Sequence, residues 1–260
     1  MRGAFGVIRR SRVSKEKNVK RVRKQLREVD NKTDLDVSAF LKARGRPDYP
    51  EARRALMKVL TEKGVFPDVV AAMGRVPRHA FGNPDVASLC YLDTWIATAG
   101  TVLSTPSVIG LMTQVLALDK TKRVLEIGTG TGYQTAILAL LAKEVFSIER
   151  VRSSYEQSSE AFKLLGLTNI VQRVGDGYAG WADAAPFDAI LISTAPPQVP
   201  AVLYQQLKPE GGRMVLPIGS ARGSQRMLLI LRSAKGDQRL DLGPTYFVPM
   251  IRDVVPENRL

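Results

Sequence analysis

The run Val124-Leu125-Glu126-Ile127-Gly128-Thr129-Gly130-Thr131-Gly132-Tyr133 constrains this chain more than any other stretch of it. A short, mostly apolar segment leads into three glycines at alternate positions, and the apolar run Ala136–Ala142 follows. Glycine turns a chain tightly and lets a ligand approach the backbone closely. A buried strand, a glycine turn and a helix in that order open a strand–helix–strand unit.

The alternation continues toward the C-terminus. Arg123–Ile127, Glu144–Ile148, Ile170–Val174, Phe187–Ile192 and Arg213–Pro217 read as strands, and Gly132–Leu141, Tyr155–Leu165 and Pro200–Leu207 as helices. Arg226–Arg232 and Tyr246–Ile251 predict two late strands. Short apolar strands separated by helices predict the α/β class, with a Rossmann-like parallel sheet and helices on both faces. Upstream, Glu51–Lys63, Pro67–Met73 and Thr105–Leu118 have helical spacing, whereas Pro77–Gly100 reads as loop. Lys42–Pro50, with Gly45, Pro47 and Pro50, reads as a linker. Three parts follow: an arm and linker over 1–46, a helical and loop region over 47–119, and the main sheet with its late strands over 120–260.

The bulk of the chain is 45 % apolar and 24 % charged, which excludes wholesale disorder. One cysteine, Cys90, and one histidine, His79, exclude a disulfide framework, a four-cysteine zinc site and any histidine-rich metal centre, so no metal is expected. Cys90 reads as a small reduced apolar residue, and His79 as a hydrogen-bonded structural one. No run of about 18 uncharged apolar residues predicts a membrane span. The formal charge of +13 is concentrated at the front. Residues 1–27 hold 11 basic side chains against one acid, Glu16, while the other 233 carry 27 against 24. Val19, Val22, Leu26 and Val29 give that arm a narrow helical stripe. Three readings of the arm stand side by side. It contacts nucleic acid or another acidic partner non-specifically, it targets the chain to a mitochondrion, or it is a solvated charged tail.

The glycines do not follow the dinucleotide pattern G-x-G-x-x-G. The third comes one residue early and Tyr133 fills the remaining place. Glu126 stands two residues before the first glycine, where a carboxylate suits a cation better than a pyrophosphate. S-adenosyl-L-methionine carries a sulfonium and an amino group and no phosphate, and is the cofactor this motif predicts. Glu149, at the tip of the next strand, is placed to accept from ribose hydroxyls. Asp176, after the third strand, is placed to accept from an adenine amino group. Asp188 opens the fourth strand and reads either as a ligand group or as a cap on neighbouring amides.

Over residues 50–252 the chain resembles the protein-L-isoaspartate O-methyltransferase family. Val76-Pro77-Arg78-His79-Ala80-Phe81 resembles its V-P-R-H-x-F, Leu125–Tyr133 its L-E-I-G-T-G-S-G-Y, and Ser147–Arg150 its S-I-E-R. Gly175-Asp176-Gly177, Gly180-Trp181, Ala185–Asp188, Gln206–Pro209, Gly211–Arg213, Leu216–Gly219, Gln225 and Phe247–Met250 continue the series in order. The departures fall in one loop, Thr94–Thr105. There Gly100, Ser104 and Pro106 align, while Thr101, Val102 and Thr105 stand where the family has Gln, Thr and Gln.

The resemblance implies methylation of a carboxylate on isoaspartyl or aspartyl residues of a protein or peptide, in the repair of damaged proteins, by a cytoplasmic enzyme, monomeric in solution. The methyl ester would then close to a succinimide. It implies cofactor contacts by Glu126, Gly128, Thr129, Gly130, Gly132, Tyr133, Glu149, Arg150, Gly175, Asp176 and Gly177. It implies substrate contacts by Asp93, Trp95, Thr101, Val102, Leu103 and Gln225. Ser104 would orient the substrate carboxylate; from the residues alone it reads as an N-cap for the helix after Pro106. Trp95 either lines the acceptor site or fills core, and Gln225 either contacts the ligands or is a solvated loop side chain. The alternatives for function are a dedicated peptide substrate, an RNA methyltransferase, and a cofactor-binding module without repair activity.

Overall fold

The computed structural model describes residues 35–98, 100–220 and 223–254. The basic segment 1–27 and its helical stripe lie outside the described residues. Helices α1 (Val37–Ala43), α2 (Pro50–Glu62) and α3 (Pro67–Arg75) come first. Two short 3-10 turns, Arg78–Phe81 and Pro84–Tyr91, lead into a hairpin of β1 (Ile96–Thr98) and β2 (Thr101–Leu103), then α4 (Pro106–Val115). The main sheet follows as β3 (Arg123–Ile127), α5 (Tyr133–Leu141), β4 (Glu144–Glu149), α6 (Arg152–Leu164), β5 (Ile170–Val174), β6 (Ala189–Ile192), α7 (Ala201–Gln206), β7 (Arg213–Gly219), β8 (Gln225–Leu231) and β9 (Gln238–Thr245).

The sheet order is β5-β4-β3-β6-β7-β8-β9. The strands β3 to β7 pair in parallel, and β8 runs antiparallel to both β7 and β9. The chain builds outward from β3 through β4 and β5, then crosses back to lay β6 on the other side of β3. The crevice between the carboxyl ends of β3 and β6 is therefore the topological switch point, where open α/β sheets bind ligands.

Side chains alternate across the sheet. Leu125, Ile127, Phe146 and Ile148 enter one buried cluster with Phe187, Ile190 and Leu203. Val124 and Val145 face the opposite cluster, with α5 and the N-terminal helices. Every residue of α5 is buried, because that helix lies between the sheet and the N-terminal layer. The same alternation puts Glu126 beside Ser147 in the β3–β4 register, on the α5 side.

Three expectations need correction. Tyr246–Ile251 is not a strand; the last strand is Gln238–Thr245. An edge strand packs on one side only, and β9 fully buries just Leu242, so its apolar signal is weak. The Tyr246–Ile251 segment instead crosses the end of β6, held by Ala195 N–H to Val248 O at 2.8 Å and Met250 N–H to Ala195 O at 3.0 Å. The folded body also begins before the expected linker. Asp36 caps α1 through its carboxylate, at 2.9 Å from the Ala39 N–H, and Phe40 is fully buried. Pro77–Gly100, expected as loop, holds the two 3-10 turns and β1. No helix among the described residues is long and apolar enough to cross a membrane.

Candidate active site

The glycine turn has the backbone that its sequence demands. Gly128, Gly130 and Gly132 have φ of +89°, +53° and +92°, the left-handed region that costs other residues most. At Gly132 a Cβ would also lie 2.9 Å from the Phe162 ring. At Gly130 it would meet Thr101 Oγ1 at 3.1 Å, which shows that the β1–β2 hairpin lies directly on the glycine turn.

Glu126 is fully buried beneath this turn. Its Oε2 accepts from Thr135 Oγ1 at 2.5 Å and from Ser147 Oγ at 2.7 Å, and Ser147 is bonded in turn to Thr129 Oγ1 at 2.6 Å. Its Oε1 has no partner. Burial, helped by the nearby Glu149, pushes the carboxyl up to about 7 against the two hydroxyl donors. A buried carboxyl with an orphaned oxygen suits a cationic ligand, since burying it unpaired is costly. Thr194 adds a second unpartnered buried oxygen, and its methyl would lie 3.4 Å from a Cβ on Gly128. The sequence reading missed Thr194. Its signal was a polar Ser193-Thr194 pair ending the apolar strand β6 at the switch point.

Glu149 accepts from the Gly130 N–H at 2.8 Å and the Val151 N–H at 2.9 Å. Each oxygen keeps a lone pair for a ribose hydroxyl. Asp176 is half-buried and caps Tyr178 N–H through Oδ1 at 2.8 Å. Arg150 donates to Asp253 O at 3.2 Å, and Gly175 and Gly177 frame Asp176. Gly177 is packed so tightly that a Cβ there would fall 2.4 Å from Ile127 Cγ2. Tyr133 turns away from this group. It is buried, with its ring 5.1 Å from the Arg78 guanidinium carbon and in edge contact with Phe81 at 5.7 Å. Burial raises its phenol to about 12.

On the acceptor side, Ser104 follows β2 half-buried. Its hydroxyl and its N–H have no partner among the described residues. Thr105, not Ser104, stands at the N-cap of α4, without a side-chain bond. Asp93 supplies that bond from outside, accepting from Ser107 N–H at 2.7 Å while paired with Lys63. Burial would raise Asp93, but the Lys63 and Ser107 donors hold it below the usual carboxylate range. Trp95 is 62 % exposed, so it does not fill core. Thr101 and Val102 are half-buried on β2.

Two side chains expected at the substrate are engaged within the protein. Leu103 is buried in the core, because alternation along β2 turns it inward. Gln225 is neither solvated nor free. Its amide donates to Phe247 O at 3.0 Å and accepts from Phe247 N–H at 2.7 Å. His79 is buried between Tyr91 Oη at 2.8 Å and Pro47 O at 2.9 Å, as a structural residue should be. Cys90 is a buried free thiol, pushed up by burial. Asp188 receives Arg123 N–H and pairs with Lys208 and Lys122, at the far end of the sheet from the glycine turn.

A Rossmann-like sheet with a glycine turn, a buried acid below it and an acid at the tip of the second strand defines an S-adenosyl-L-methionine-dependent methyltransferase. Comparison with known proteins narrows the class. Residues 51–254 match the family model described as protein-L-isoaspartate(D-aspartate) O-methyltransferase. The chain is 38 % identical over 206 residues to the protein-L-isoaspartate O-methyltransferase of Dictyoglomus thermophilum, covering 78 % of this chain and 93 % of that one. A solved protein-L-isoaspartate O-methyltransferase superposes with a TM-score of 0.69 at 30 % identity, over 76 % of this chain and 65 % of the other, just under two thirds of its length. A Plasmodium falciparum protein crystallised with S-adenosyl-L-homocysteine has a TM-score of 0.67 at 23 % identity, over 77 % of this chain and 99 % of that one, and so speaks for the fold alone. The chain belongs to the protein-L-isoaspartate(D-aspartate) O-methyltransferase family.

Proposed function

We propose that this chain transfers a methyl group to the free carboxylate of isoaspartyl residues, or more weakly of aspartyl residues, in damaged proteins and peptides. The observation that carries the reading is Ser104. It presents an unpartnered hydroxyl at the end of a hairpin that lies on the glycine turn, in a chain of this family. S-adenosyl-L-methionine supplies an electrophilic methyl group on a sulfonium. Glu126, through Oε1, and Thr194 would face its cationic part, Glu149 would hold the ribose hydroxyls, and Asp176 would hold the adenine amino group.

The acceptor carboxylate, with a pKa of about 4, is ionised at neutral pH. With the cofactor bound, one of its oxygens would form the new bond to carbon as the carbon–sulfur bond breaks, the sulfur keeping the electron pair as a neutral thioether. No proton moves, so no general base is required. What the protein contributes is alignment, and near-attack geometry supplies on the order of 7–11 kcal/mol. Ser104 orients the carboxylate through its hydroxyl, Thr101 and Val102 wall the pocket, and Trp95 packs against the flanking peptide. In the repair sequence the next peptide nitrogen attacks the ester, methanol leaves, and a succinimide forms.

The same reading includes a cytoplasmic, monomeric enzyme, consistent with the free thiol at Cys90. The basic arm meets acidic partners by charge alone. The experiment is a methyl-transfer assay with labelled cofactor on an isoaspartyl peptide, its aspartyl twin and bulk RNA. Base-labile label on the isoaspartyl peptide is expected. Label confined to RNA would overturn the reading.

A further inference from the structure

Arg78 is the one fully buried arginine among the described residues, and the chemistry above does not use it. Its Nε donates to Cys90 O at 2.8 Å, and its Nη2 to Leu103 O at 3.3 Å and Thr94 O at 3.4 Å. Its Nη1 has no partner, nor has the hydroxyl of Tyr133, whose ring lies beside the guanidinium. Among the described residues it makes no ion pair. Asp93, the one carboxylate that acts on it, is occupied by Lys63 and Ser107. An isolated buried charge is expensive and persists only where something compensates it. Carbonyl dipoles and an aromatic face do so in part, but they leave a net positive charge under the hairpin.

The peptide that Arg78 grips is the one that ends in Ser104. In a trans peptide the carbonyl and the following N–H point in opposite directions. With the Leu103 carbonyl turned toward the guanidinium, the Ser104 N–H faces away from it and has no acceptor among the described residues. Ser104 thus offers two donors, N–H and hydroxyl, and the bond from Arg78 to the Leu103 carbonyl polarises the first of them. Two donors backed by a buried cation fit a carboxylate better than an amide, whose oxygen accepts both bonds but carries no negative charge for Arg78 to attract.

We propose that Arg78 is a positioning residue that makes the Ser104 site selective for a carboxylate acceptor, acting through the Leu103–Ser104 peptide. This rests on the isoaspartyl reading of the site. The test uses the full chain and two peptides, the isoaspartyl substrate and the same peptide with its acceptor carboxylate replaced by carboxamide, the latter as a competitive inhibitor. The wild-type protein should bind the carboxamide about tenfold or more weakly than the carboxylate. Arg78→Met should raise KM for the carboxylate peptide about tenfold, leaving carboxamide inhibition and S-adenosyl-L-homocysteine affinity within about twofold. Arg78→Lys should restore most of the difference.

Equal weakening of both peptides by Arg78→Met would make the residue merely structural and overturn the proposal. So would equal binding of the two peptides by the wild-type protein, a measurement that stands even where Arg78→Met does not fold. Absence of any wild-type turnover of the isoaspartyl peptide would instead sink the functional reading, and this proposal with it.

Discussion

Glu126 joins sequence, burial and ligand in one side chain. The motif placed an acid before the glycines, but its burial and its two hydroxyl donors come from partners 9 and 21 residues away, which no local pattern displays. Its carboxyl lies near 4.5 when the chain is unfolded and about 7 when folded. The raised value means that the folded state prefers the neutral form. Stability from this group is fully present below pH 4.5 and is lost as pH rises through about 7, an effect on the order of 3 kcal/mol. Burial lowers His79 and so acts in the opposite sense over the same range, so the contribution of Glu126 is read by difference: Glu126→Gln should change the melting temperature of the ligand-free protein more favourably at pH 8 than at pH 5. A cationic ligand beside Oε1 should also draw the proton off. Calorimetry of S-adenosyl-L-methionine binding in buffers of different ionisation enthalpy should show proton release near pH 7. At Ser104, sequence alone favoured a helix cap and the resemblance favoured substrate; the cap is Thr105. Ser104→Ala should lower kcat about 10- to 100-fold and leave cofactor affinity within about twofold. A comparable loss of affinity would contradict the assigned role.

The inner parallel strands β3, β4, β6 and β7 and helix α5 were legible because they are covered on both sides and carry mostly apolar runs. The last strand was not. β9 lies at an edge, and the stronger apolar run just after it, Tyr246–Ile251, is a strap across the end of β6 rather than a ladder. That strap is tied to β8 by Gln225, whose amide both donates to and accepts from Phe247. The sequence matched Gln225 to a family position but could not show that its amide serves the backbone. Gln225→Ala should leave the buried Phe247 groups unpaired and cost about 1–3 kcal/mol of stability in denaturant unfolding. It should weaken cofactor binding only through the strap. Unchanged stability would show that the strap holds without it. The 3-10 turns of residues 78–91 were illegible for a related reason. Their role is to seat Arg78 and His79 against carbonyls distant in sequence, and they carry no helical period.

At the scale of the molecule, the order β5-β4-β3-β6-β7-β8-β9 brings the glycine turn, Glu149 and Thr194 to one crevice, and the N-terminal layer lays the hairpin over it. The switch point depends on the strand order, which alternation does not display; the α/β class did follow from alternation. The start of the body did not, because α1 is short and sits inside a polar, proline-containing stretch. A chain beginning at Leu35 should keep its melting temperature and its cofactor affinity. One beginning at Lys42 loses Phe40 and Leu41 from the core, and with them about 3–5 kcal/mol or more. The excess charge of the first 27 residues takes no part in the chemistry described, so the chain beginning at Leu35 should methylate peptides at an undiminished rate. The account turns on an isolated carboxylate being aligned at Ser104. Its most direct test is the ratio of kcat/KM for an isoaspartyl peptide to that for its aspartyl twin, measured as base-labile methyl ester. A ratio well above one is predicted, and a ratio at or below one would contradict the account.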